Sequence, residues 1–156
     1  MEVFNYKRRI HYYETDAMAI VHHSNHLRLF EEARVAWFGA REMDQIAWTQ
    51  EQLYFPLLDS SVKYLKPIYF DDEIEVKVQV RLERRRFSFQ YAIYVISEGT
   101  DQRSKGYERS RGERPLLCAT GSTSHVLVDK KFNIVKDLNP KILDIMEAEP
   151  WTETWP

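Results

Sequence analysis

The chain has a single cysteine, Cys118, so no disulfide can close within it, and a reducing compartment is the expected setting. Neither charge is in excess: 22 Lys and Arg stand against 24 Asp and Glu, for a net charge of −2. The basic surplus of a nucleic-acid binder and an acidic interaction tail are both missing. No run reaches the roughly 18 apolar residues that a spanning helix needs. The opening MEVFNYKRRIHYYE has no apolar core of signal-peptide length. The cytoplasm is the expected location, with no membrane span and no nucleic-acid partner. Internal repeats and low-complexity tracts are absent too.

What is present is an ordinary globular balance: 44% hydrophobic, 29% charged and 13% aromatic residues. One domain is expected over 1–156, with a core over about 4–130 and an extension over 131–156. From Phe4 to Tyr12 the even positions read Phe, Tyr, Arg, Ile, Tyr, which predicts a strand with one buried face. Leu27, Phe30, Ala33, Arg34, Trp37 and Ala40 recur at helical spacing, with Ser24 or Asn25 as N-cap. Leu29, Ala36 and Phe38 add apolar surface on another side, so other structure should wrap this helix. A strand fits between Pro56 and Pro67. Ile74, Val76, Val78, Val80 and Leu82 alternate with polar residues, as do Phe87, Phe89, Tyr91, Ile93 and Val95 beyond the turn at Arg84–Arg86, which predicts a hairpin.

The polar stretch 97–114 reads as a long loop. PLLCATGSTSHVLVD then reads as a strand in which Gly121 marks a bulge or a close backbone approach. NPKILDIMEAE predicts a short helix and PWTETWP a loose tail. The fold class is α+β: a mostly antiparallel five-stranded sheet around one long central helix. Such a sheet has open edges and an underfilled face, which a second copy would cover in a homodimer or homotetramer.

The chemistry concentrates in YYETDAMAIVHHSNHLRLFEEAR, residues 12–34. This segment resembles the signature of hotdog-fold acyl-CoA thioesterases of the 4-hydroxybenzoyl-CoA thioesterase type. YLKPIYFDDEIEV resembles the family's segment after the helix, and ERRRFSFQ its basic hairpin. The resemblance covers roughly residues 4 to 130 and implies the hotdog fold. It places Asp16 on the catalytic aspartate and His23 on the position at the helix start. It also implies an acyl-CoA substrate, a site at a subunit interface, and no cofactor, coenzyme A being part of the substrate. Ala19 stands where the family usually has Gly, so the tight turn should differ slightly. The C-terminal tail has no clear counterpart.

Thioester hydrolysis needs a nucleophile, or a base to make one, and charge stabilisation on the carbonyl oxygen. Asp16 can attack or activate water, and its setting beside AMAIV should leave it less solvated. The helix start supplies free N–H groups and a positive dipole end, with the backbone N–H near His23 aimed at the oxyanion. The same segment offers Tyr13, His22 and Asn25 as substrate contacts, while Lys66 in the segment after the helix and Arg84, Arg85 and Arg86 in the hairpin are candidate partners for coenzyme A phosphates. The arginines are as well explained by a solvated turn, and Asp16 by a turn cap.

His22 and His26 share a helical spacing, but no acidic or Cys partner matches it and no metal is expected. They read as surface or pocket lining. Glu31 and Glu32 suit the early turns of the helix, and Cys118 lacks a nearby His to make it a nucleophile. Two rival readings remain: a hotdog hydratase or dehydratase acting on acyl thioesters, and an acyl-CoA-binding module without catalysis.

Overall fold

The computed structural model describes residues 2–100 and 113–156. Most of the polar loop expected over 97–114 therefore lies outside the described residues. The elements run β1 (Phe4–Arg9), a 3₁₀ turn (Tyr12–Glu14), α1 (Asn25–Ala40), a π turn (Gln45–Gln50), β2 (Leu57–Tyr64), β3 (Glu73–Glu83), β4 (Arg86–Ser97), β5 (Leu116–Val126) and α2 (Pro140–Ala148). The strands form one sheet in the order β1-β3-β4-β5-β2, and every pairing is antiparallel. A five-stranded antiparallel sheet with a long helix on one face is the hotdog arrangement expected. No helix among the described residues is long and apolar enough to cross a membrane.

The hairpin follows from its alternation. Ile74, Val76, Val78 and Val80 of β3, and Phe87, Phe89, Tyr91, Ile93 and Val95 of β4, are all buried. Their polar neighbours take the opposite face, as period-two patterning requires, and there Gln79 is itself buried. The connection is tighter than the three arginines suggested: Arg86 already pairs with Glu83. Arg84 adopts φ 60° to close the turn, a left-handed conformation suited to two-residue hairpin loops.

α1 lies on the core face with Leu29, Phe30, Ala33, Trp37 and Phe38 buried. Leu27 and Ala40, which the spacing placed inward, are exposed. Phe30 stacks on Tyr91 with ring centroids 4.5 Å apart. That contact explains Gly121: a Cβ there would stand 2.3 Å from Phe30 Cε2. Position 121 is thus the close approach, while the register shift lies between Ile93 and Tyr94, which pair with Ala119 and Leu117. The bulged residue is Cys118, buried in the core, where burial pushes its thiol up to about 11 and removes its reactivity.

Three further expectations need correction. β1 ends at Arg9 because the chain turns in 3₁₀ form over Tyr12–Glu14. Ser24 occupies the N-cap position, but its side chain makes no cap bond; its hydroxyl meets His22 Nδ1 at 2.8 Å instead. The tail is not loose. It follows the expected short helix, which forms as α2: Asn139 caps it by accepting from the Lys141 N–H at 2.8 Å, and Ile142 and Met146 join the hydrophobic core. Beyond α2, the Gln79 side-chain amide exchanges two 3.0 Å hydrogen bonds with the Thr152 backbone, and Arg81 lies 4.2 Å over the Trp151 ring.

Candidate active site

The segment that carries Asp16 is a loop closed on itself. The Asp16 N–H donates to the Ile20 carbonyl and the Ala19 N–H to the Asp16 carbonyl, both at 2.9 Å. Asp16 Oδ1 accepts the Met18 N–H at 2.8 Å. Ala19 takes φ 60°, the conformation that favours glycine and costs an L-residue about 1 kcal/mol or more. The loop keeps its tight form with alanine in place. It is pinned to the segment after β2 by Val21 N–H to Ile68 O at 2.8 Å and Phe70 N–H to Ala19 O at 3.0 Å. Ala19 and Val21 are buried, whereas Met18 is exposed, so the apolar run shields Asp16 only in part and leaves it half-buried.

Asp16 faces a groove of about 380 Å³ between this loop, the start of α1 and the end of β2, lined also by His23, His26, Tyr64, Lys66 and Ile68. Two of the lining residues are anchored at the Cys118 bulge, whose carbonyl accepts the Leu65 N–H at 2.8 Å and the Lys66 N–H at 3.0 Å. At the helix start, the N–H groups of His22, Asn25 and His26 are taken by the carbonyls of Glu14, His22 and His23. The Ser24 N–H is taken by His22 Nδ1 at 3.2 Å. The His23 N–H has no protein acceptor among the described residues. It sits at the positive end of α1, where a free amide can receive developing negative charge.

The His23 carbonyl organises the groove wall. It accepts the Tyr64 hydroxyl at 3.1 Å and lies 3.2 Å from His26 Nδ1. A carbonyl can only accept, so His26 carries its proton on Nδ1 and leaves Nε2 as an acceptor. Burial lowers the pKa of His26, keeping the ring neutral. The rings of His26 and Tyr64 meet edge to face at 4.7 Å.

The other expected contacts divide. Lys66 lines the groove with Asp16 and His23. Tyr13 does not: it is 81% exposed and stacks on His11. His22 also lies outside the lining, tilted against the His23 ring at 4.0 Å. Asn25 points inward and donates from Nδ2 to the Glu14 carbonyl at 2.7 Å. Arg84, Arg85 and Arg86 sit at the far end of the sheet, where Arg86 pairs with Val126 in register and lies 3.6 Å from Asp59. β2 runs from there to Tyr64, so the separation is on the order of 24 Å.

Sequence reasoning passed over Glu14, Arg8 and Tyr64. Arg8 carried a signal, because it occupies an even, inward-facing position of β1 and a half-buried guanidinium needs an anion. Glu14 is that anion, and Glu32 shares the guanidinium.

The family model for the thioesterase-like superfamily matches residues 10–152, which brings most of the C-terminal extension inside the family. An Aquifex aeolicus protein with an esterase name is 39% identical over 95 residues, covering 61% of this chain and 73% of its own. A 1,4-dihydroxy-2-naphthoyl-CoA hydrolase of Picosynechococcus is 27% identical over 154 residues, 97% of this chain and 90% of the relative. A crystal structure of a hypothetical protein from Aquifex aeolicus superposes with a TM-score of 0.72 at 30% identity, covering 92% of this chain and 98% of that one. These similarities are broader than the 4-hydroxybenzoyl-CoA subdivision that the motif resembles. With the groove and the sheet order in agreement, the chain belongs to the thioesterase-like superfamily and is a thioesterase of hotdog fold.

Proposed function

We propose that the protein hydrolyses an acyl-CoA thioester to the free acid and coenzyme A, with Asp16 as base or nucleophile and the His23 amide as donor to the carbonyl oxygen. One observation carries this reading: Asp16 borders the same groove as His23, whose N–H has no protein acceptor among the described residues. A thioester carbonyl seated between them would have its carbon toward Asp16 and its oxygen toward the N–H. Water adds to the carbon directly, or by hydrolysis of an acyl–Asp16 intermediate, and the thiolate leaves and takes a proton. No cofactor enters this balance. Lys66 is placed to meet an anionic part of the substrate at the groove mouth.

The acyl group is proposed to be aromatic or short. His26 and Tyr64 give the groove an aromatic side, and the Picosynechococcus relative is named for a naphthoyl substrate. Among the described residues β2 is an edge strand, and Leu57, Leu58 and Tyr64 are exposed along it. A second copy docked there would build the other wall of the groove in a homodimer. Arg84, Arg85 and Arg86 would then reach the nucleotide phosphates only from a neighbouring chain or along the length of the sheet. The cytoplasmic setting expected from the lone cysteine belongs to the same reading.

Thiol release over a panel of aryl, short and long acyl-CoAs tests it. Asp16→Asn should lower kcat by about a hundredfold or more with an unchanged melting temperature, and full activity in that variant would end the proposal. Water addition to an enoyl chain without thiol release would assign the groove to hydratase chemistry. Tight acyl-CoA binding without turnover would assign it to a binding module.

A further inference from the structure

We propose that Glu14, clamped by the Arg8 guanidinium that Glu32 shares, is the positioning residue that fixes both halves of the site at once; this deepens the thioesterase reading and rests on it. Glu14 is only 6% exposed and lies two residues before Asp16. Its own oxygens are occupied. Oε1 accepts the His11 N–H at 2.8 Å and Arg8 Nη1 at 2.7 Å, and Oε2 accepts Arg8 Nη2. A carboxylate filled in this way is not free to act as a base. Its bonds hold the chain where it enters the Asp16 loop.

The Glu14 carbonyl holds the exit from the loop. It accepts the His22 N–H at 3.0 Å and Asn25 Nδ2 at 2.7 Å, and a bridge between Thr15 and Val21 closes the loop beside it. The entry and exit of the Asp16 loop are therefore fixed on one residue, and His23, which lines the groove, is next to the residue held at the exit. Arg8 extends the brace to α1, since its Nη2 also donates to Glu32 Oε2 at 2.9 Å. Tyr6 Oη donates to Glu32 Oε1 at 3.3 Å. Strand β1, the loop and the second turn of α1 are thus tied by one guanidinium. Among the described residues, Asp16 makes only bonds internal to its loop, so its aim depends on where the loop ends are held. A guanidinium fork does this better than an ammonium, because it engages two oxygens of one carboxylate and one of another in a fixed plane.

The test uses steady-state kinetics of the full chain together with melting temperature. Glu14→Gln and Arg8→Lys should each lower kcat by about ten- to a hundredfold, with KM within about twofold of wild type, at temperatures where the variants are folded. Arg8→Lys keeps the charge and loses only the fork. The control is Glu149→Gln, which breaks the similarly enclosed Arg41–Glu149 pair at the other end of α1. It should lower the melting temperature and leave kcat unchanged. If Glu14→Gln does not fold, Arg8→Gln combined with Glu14→Gln removes both charges and is judged by the same standard. Wild-type kcat in these variants despite a lower melting temperature would overturn the brace, and so would an equal kcat loss in the Glu149→Gln control. If Asp16→Asn keeps its turnover, the thioesterase reading fails instead. An inactive Asp16→Asn beside an undiminished Glu14→Gln sinks the brace alone.

Discussion

The two ends of α1 are built from different materials. At its start, Asn25 and His26 are the buried residues, the N-cap hydroxyl is turned aside, and His23 lines a groove with its N–H lacking a protein acceptor among the described residues. At its finish, Trp37 and Phe38 are enclosed by Phe55 and Phe89, and Met43, Ile46 and Ala47 are buried just beyond. Even the polar groups there are closed off: Glu149 accepts Trp37 Nε1 at 3.1 Å and pairs with Arg41. The contrast teaches where each property resides. The finish supplies cohesion, while the start forgoes a cap bond and keeps an open donor.

The largest break in this comparison is Trp37→Ala. Removing a fully buried indole should cost about 3–5 kcal/mol in chemical denaturation, while the folded fraction keeps its kcat. A kcat that fell further than the folded fraction would show that the two ends are coupled.

Acid should sharpen the contrast. His125, against Phe55 and Phe89 on the apolar side, has its pKa lowered to about 4, first by burial and then by the Arg34 charge. The unfolded chain binds that proton near 6.5, so stability should fall as pH is lowered from 6.5 to about 4. His26 at the open end, also held neutral by burial, adds to the loss below 6.5. Glu14 acts lower still. Burial alone would raise its pKa, but the Arg8 hydrogen bonds and charge and the His11 amide outweigh it, so its contribution is lost only as pH falls below its ordinary value of about 4.5. His125→Gln should flatten the melting temperature between pH 6.5 and 4.5, and an unchanged slope would remove His125 from the account.

The smallest effect is expected at the exposed hairpin. Replacing Arg84 and Arg85 by alanine should shift stability by less than about 0.5 kcal/mol. A rise in KM for acyl-CoA that is absent for a truncated acyl-pantetheine would place these side chains on the nucleotide.

Much of this was legible in the sequence, for physical reasons that also mark its limits. β3 and β4 alternate because each has a wet face and a dry one, and that pattern is local. The Asp16 loop and the helix start were legible because their residues are contiguous. The Arg8–Glu14 pair was not, since the partners belong to different elements and meet only after the chain turns between them. The Gln79–Thr152 exchange pairs residues 73 positions apart, one a side-chain amide and the other backbone, which no periodicity encodes. The position of the three arginines depended on strand register, and register is settled by pairing partners rather than by the turn itself.

Gly121 has a consequence for the groove as well as for the core. Phe30 rests on it from the second turn of α1, near the end where His23 stands. A methyl group added there would act as a wedge under that end of the cylinder, tilting it outward and carrying the amide away from the floor of the cleft. How closely the start of α1 can approach the sheet is thus decided in part on β5, by a residue that does not itself line the groove.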